Sequence, residues 1–216
     1  MEIDALCKES GSATRGRVWI DLLRHGEPTG GERYRGDGVD DPLSPRGWEQ
    51  MWAAVGAAAG WVRVVSSPLQ RCRAFAEALG ERLQIPVSVE PELREVGFGV
   101  WEGLTKPEVA SRWPGALEAF HADPVTHRPR GAEPLEAFCG RVSRALDRLW
   151  QAAGAGPVLV VAHAGVLRAA AVQALRMPLG SMYRLRIGYA GCVRLSRDLR
   201  GVCLEHWNLP RLMEDP

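Results

Sequence analysis

The sequence predicts an α/β fold: a three-layer α/β/α sandwich with a mostly parallel central sheet and a short inserted lid. Three observations carry this. The apolar runs Val18–Leu23, Val62–Val65 and Pro157–Ala162 each end abruptly in polar or charged residues. The second and third run on into stretches with helical start signals and helical spacing. A chain of 216 residues, 46% of them hydrophobic, suits one substantial domain.

The elements follow in order. Val18–Leu23 reads as a buried strand that opens at Arg24-His25-Gly26-Glu27 into a polar loop. Ser44-Pro45 fits an N-cap and a first-turn proline for a helix through Trp48, Met51, Trp52 and Val55. After the run at Val62–Val65, Ser67-Pro68 repeats that signature for a helix through Phe75 and Leu79 that stops near Gly80 to Leu83. A short strand is expected at Pro86–Val89. Thr105-Lys106-Pro107-Glu108 fits a capping box for a helix ending before Pro114. Residues 114–133, rich in proline, histidine and arginine, read as irregular with a turn of helix around Ala116–His121. Glu133-Pro134 starts a long helix whose Leu135, Phe138, Val142, Leu146 and Leu149 keep helical spacing. A strand at 157–162, a helix at 166–175 and strands near Met182–Ile187, Cys192–Ser196 and Val202–Trp207 complete the set. The expected division is a polar extension over 1–17 and one domain over 18–216, with the lid at 104–133.

Composition excludes several classes. A net charge of +1 gives a nucleic-acid or anionic-membrane partner no global electrostatic support. Five widely spaced cysteines without a C-x-x-C argue against a disulfide framework or zinc ribbon and for a reducing compartment. The longest apolar stretch, Val158 to Leu175, is interrupted by His163, Gly165, Arg168 and Gln173, so it reads as strand then helix rather than a membrane span. Met1–Ser10 has no apolar signal core. A soluble, cytoplasmic protein is expected; the composition does not define its oligomeric state.

The three strand ends offer Arg24 and His25, then Arg71, then His163. If the strands are parallel in one sheet, these side chains converge on its carboxyl edge, where open α/β sheets bind ligands. Two imidazoles and two guanidiniums without thiolate or clustered carboxylate ligands describe an anion site rather than a metal centre. Phosphate fits. Taken singly, each has a blander reading: Arg71 as a helix-surface arginine like Arg73, His163 as a core histidine, His25 as the end of a strand.

Together, Arg24-His25-Gly26-Glu27, Ser66-Ser67-Pro68-Leu69-Gln70-Arg71, Leu93-Arg94-Glu95 followed by Phe98-Gly99-Val100-Trp101-Glu102-Gly103, and His163-Ala164-Gly165 resemble the histidine phosphatase superfamily in its phosphoglycerate-mutase-like branch. The resemblance runs from about Val18 to Trp207. It implies that His25 attacks phosphorus to give a phosphohistidine, with Arg24, Arg71 and His163 on the phosphate and no cofactor or metal. A backbone carbonyl near Gly26 is expected to hold one ring nitrogen. It also implies that Glu95 is the general acid and later the base, although Glu92 and Glu102 offer the same chemistry nearby. Glu27 is expected to support the site indirectly. Backbone N–H groups at the helix start, beginning at Ala164, add to the anion site.

The loop Gly30-Gly31-Glu32-Arg33-Tyr34-Arg35-Gly36, with Asp40-Asp41-Pro42-Leu43-Ser44 and Gly131–Phe138, resembles the α-ribazole phosphatases of cobalamin synthesis. That implies a small phosphorylated metabolite, α-ribazole 5′-phosphate, with Arg33, Tyr34 and Arg35 shaping the space beyond the phosphate. The alternatives are a broad-specificity metabolite or sugar phosphatase, a phosphoglycerate mutase, and a non-catalytic phosphate-binding regulator. The missing asparagine after the histidine motif counts against the mutase.

Overall fold

The computed structural model describes residues 19–58, 60–152 and 156–212. The expected extension 1–17, and Val18, lie outside the described residues. Six strands, β1 (Trp19–Arg24), β2 (Arg63–Ser66), β3 (Val87–Val89), β4 (Val158–Ala162), β5 (Cys192–Asp198) and β6 (Gly201–Leu209), form one sheet in the order β3-β2-β4-β1-β5-β6. The first four in that order are parallel, and β5 and β6 add antiparallel pairs at one edge. The expected mostly parallel sheet is therefore present, with a mixed edge.

Alternation along the strands feeds two cores. Ile20, Leu22, Val158, Val160 and Ala162 face α5 (Leu135–Ala152) and α6 (Ala164–Ala174). Leu23, Val64, Leu159 and Val161 face α1 (Pro45–Val55) and α2 (Gln70–Leu83) on the other side. Asp21 is fully buried on that second face; Trp61 Nε1 donates to it at 2.9 Å and Arg194 grips it through two N–H donors at 2.7 and 2.9 Å. Asp21 and Arg194 are direct cross-strand partners, so this pair also selects the β1–β5 register.

The interval 104–133 carries two short helices, α3 (Lys106–Arg112) and α4 (Ala116–Ala122). The Thr105–Glu108 capping box is formed in full. Two local expectations fail. Residues Met182–Ile187 are not a strand: Leu179–Arg184 is a 3-10 helix that buries Met182 in the core. Ser67 is not the N-cap of α2, which starts at Gln70 behind Leu69. Asp40 Oδ1, from the loop after β1, instead accepts the Gln70 N–H at 2.8 Å, which frees the Ser67 hydroxyl for another partner.

Candidate active site

Parallel pairing puts the residues just beyond β1, β2 and β4 side by side. The His25 N–H donates to Ala162 O at 2.9 Å and the Ser67 N–H to Val161 O at 3.0 Å. The His25 and His163 rings meet edge to face with centroids 5.2 Å apart. His25 Nδ1 lies 2.7 Å from Gly26 O. A carbonyl can only accept, so Nδ1 carries the proton and Nε2 of the neutral ring is left with a lone pair.

Both imidazoles are buried, at 5% exposure for His25 and none for His163. Burial, then the Arg24 and Arg71 charges, hold the His25 pKa well below the ordinary histidine value. Burial, then Arg71 and His25, do the same for His163. Both rings are neutral near pH 7, which is the form a nucleophile needs.

Arg71, on the first turn of α2, is 1% exposed. Its Nη1 donates to Val39 O at 2.9 Å and its Nη2 to Gly36 O at 3.0 Å, while its buried Nε has no partner among the described residues. Arg24 Nη1 donates to Ile187 O at 2.7 Å, its guanidinium lies 4.2 Å over the Tyr189 ring, and its Nε is likewise unpartnered. Burial lowers the Arg24 pKa to about 10. Two oriented guanidiniums with vacant buried donors around a neutral histidine form a site for an oxyanion. Ser67 Oγ lies 2.6 Å from His163 Nε2 and also takes the Leu69 N–H at 3.3 Å, so it orients the second imidazole. Cys72, fully buried, touches the same ring, and burial raises its thiol pKa far above the usual range. It is an inert neighbour.

Glu95 reaches the start of α6. The Gly165 N–H donates to Oε1 at 3.1 Å and Oε2 at 3.3 Å, and the Val96 N–H to Oε1 at 3.0 Å. A side chain at Gly165 would collide with that carboxylate, which gives the glycine of the His163-Ala164-Gly165 motif a physical reason. The backbone of Glu95 is held from below by the buried Arg141, which donates to the carbonyls of Glu92, Arg94 and Glu95 and pairs with Glu133 at 2.7 Å. Ala164 is buried at the first position of α6, directly after His163.

The remaining sequence candidates are placed apart from this cluster. Glu27 faces the start of α1, with its carboxylate 3.5 Å from Ser44 Oγ and 3.9 Å from Arg46. Arg33 and Arg35 both bind Asp41, at 2.7 and 2.8 Å, and Arg35 also donates to the carbonyls of Thr29 and Gly31. Their charges build the loop and are partly spent on it. Tyr34 packs on Phe98 and Trp101, 5.0 and 5.1 Å between centroids, and walls a cavity of about 630 Å³ together with Arg33, Lys106 and Tyr189. Tyr189 joins that cavity to the anion site, its ring 5.9 Å from that of His25. Sequence reasoning missed Tyr189 and the Ser67–His163 contact. The usable signal was Gly188-Tyr189-Ala190-Gly191 just before β5, since an antiparallel neighbour of β1 must begin where β1 ends.

A family-wide sequence model, histidine phosphatase superfamily (branch 1), matches residues 20–210. The bifunctional protein Rv2228c of Mycobacterium tuberculosis is 37% identical over 173 residues, covering 78% of this chain and 47% of its own length. The chain thus spans about half the length of that relative. The glucosyl-3-phosphoglycerate phosphatase of Mycolicibacterium vanbaalenii is 36% identical over 191 residues, covering 83% of this chain and 84% of its own. The solved structure of the α-ribazole phosphatase from Shigella flexneri superposes with a TM-score of 0.78 at 27% identity, covering 93% of this chain and 100% of that one.

Proposed function

The chain belongs to the histidine phosphatase superfamily, and from that premise we propose that it hydrolyses a phosphomonoester through a phosphohistidine on His25. One observation carries the reading: His25 Nδ1–H is committed to Gly26 O, so Nε2 is left bare on a ring that feels the Arg24 and Arg71 charges. Nε2 attacks phosphorus as the P–O bond to the leaving group breaks. Arg24, Arg71 and His163, with the Ala164 N–H at the start of α6, hold the non-bridging oxygens, and the two guanidiniums offset their charge in the transition state. Glu95 donates a proton to the departing oxygen, then takes one from the water that cleaves the P–N bond and releases phosphate.

The leaving group occupies the cavity beyond Tyr189, beneath a lid at 104–133. The loop Gly30–Gly36 and the likeness to α-ribazole phosphatases support α-ribazole 5′-phosphate, whose flat base suits the Tyr34 and Tyr189 walls. A second reading, a phosphorylated sugar acid, is favoured by Lys106 on the cavity wall and by the 36% identity to a glucosyl-3-phosphoglycerate phosphatase. The ammonium of Lys106 suits a carboxylate as an ionic partner and meets no anionic group on a benzimidazole riboside. The proposal includes a cytoplasmic location, supported by the four described cysteines, which are all free; no described helix is long and apolar enough to cross a membrane. The test is kcat/KM on α-ribazole 5′-phosphate, glucosyl-3-phosphoglycerate and simple sugar phosphates, with wild type and Lys106→Ala. Preference for α-ribazole 5′-phosphate that survives Lys106→Ala supports the first reading. Preference for the sugar acid that the substitution removes supports the second, and a flat profile makes the enzyme a general phosphatase.

A further inference from the structure

The carboxylate of Glu102 joins two loops that the site depends on. Its Oε2 accepts the Gly38 N–H at 3.0 Å and its Oε1 the Phe98 N–H at 2.8 Å. Gly38 lies between Gly36 and Val39, and the carbonyls of those two residues are the ones that clamp the Arg71 guanidinium. Side chains at Gly36 or Gly38 would run into the same carboxylate, so the loop closes tightly over it. Gly36 also adopts a left-handed φ of 55°, which a residue with a side chain adopts only under strain. Glu102 makes no contact with His25, His163 or Arg24, and neither of its accepted bonds reaches the anion site directly.

We propose that Glu102 is a positioning residue for phosphate binding: it buckles the 36–39 loop onto Phe98 and thereby fixes the two carbonyls that aim Arg71. This rests on the reading of His25, Arg24 and Arg71 as a phosphate site. The consequence is selective. Glu95 lies on the loop that contains Phe98, but its backbone is held separately by Arg141 and its carboxylate by Gly165. Loss of Glu102 therefore loosens Arg71 and leaves the proton donor in place. General loosening of the domain would disturb both.

The experiment pairs two readouts across wild type, Glu102→Ala, Glu102→Gln and Gly38→Ala. Calorimetric binding of orthovanadate and of inorganic phosphate reads the Arg71 clamp without chemistry. The ratio of kcat/KM for an aryl and an alkyl phosphate reads Glu95. Glu102→Ala should weaken both anions about tenfold, the scale of one charge-assisted hydrogen bond made indirectly useful, with the aryl-to-alkyl ratio unchanged. Gly38→Ala is the second route: Gly38 is exposed and its added methyl meets only the end of the Glu102 side chain, so it displaces the carboxylate without altering the core. It should reproduce the weakened binding. Glu102→Gln keeps one acceptor oxygen and should fall between. Wild-type anion affinity in Glu102→Ala and Gly38→Ala overturns the proposal even if both melt earlier, and so does a loss of affinity matched by a rise in the aryl-to-alkyl ratio. If wild type binds neither anion and hydrolyses nothing, the phosphate-site reading itself fails, a different result from wild-type binding that survives loss of Glu102.

Discussion

Lowering the pH through the histidine range should destabilise the fold by an amount traceable to two side chains. His25 and His163 are neutral when folded, with pKa values well below the ordinary one, because burial and the neighbouring arginines penalise the cation. In the unfolded chain each titrates near its ordinary value of about 6.5. A depressed folded pKa means that the unfolded state binds the proton first. Stability is therefore whole above about pH 6.5 and is lost as pH falls below it. Between pH of about 6.5 and about 5.5 each ring costs about 1 kcal/mol, and the pair about 2 kcal/mol. For a domain of this size that is about 4–8 °C in Tm. Carboxylates held low by arginine, such as Asp41, contribute only below the ordinary carboxylate range and outside this window. The assay is urea denaturation at three pH values on wild type, His25→Asn, His163→Asn and the double variant. Each single substitution should remove about half of the slope. A double variant with the wild-type slope would refute the claim that these rings are buried in their neutral form.

Glu95→Gln should slow alkyl phosphates by about 10²-fold or more, the range of lost general acid catalysis, while aryl phosphates, which leave with less help, lose much less. Steady-state kinetics on matched alkyl and aryl esters checks this, and equal losses would move the proton donor elsewhere. Activity should persist in EDTA, because Arg24 and Arg71 supply the positive charge at phosphate; activity lost to EDTA and restored by one divalent ion would contradict this.

Much of the architecture was legible because strong local signals agreed with the tertiary plan. The strands before His25, Ser67 and His163 are apolar runs with hard stops, and Thr105–Glu108 caps its helix as its spacing requires. Met182–Ile187 misled because Tyr183, Leu185 and Ile187 keep strand alternation; what decides is that Met182, out of that phase, enters the core and Ile187 O receives Arg24. Ser67-Pro68 carries a genuine capping signature, but its hydroxyl is taken by His163 and a carboxylate thirty residues upstream of Gln70 does the capping. Tyr189 and Glu102 act through contacts across the fold, Tyr189 on His25 and Glu102 on Gly38, and those contacts depend on how distant loops meet. The arginines at 33 and 35 were legible as loop residues, but that Asp41 engages both depends on how the loop closes.

The central claim is that His25 carries phosphate in turnover. Acid-sensitive, base-stable label should appear on the His25 peptide when the enzyme is quenched in denaturant during turnover of a labelled aryl phosphate. His25→Ala, folded by circular dichroism, should carry none. Label that persists in His25→Ala, or that wild type lacks while it is turning over, would contradict the account.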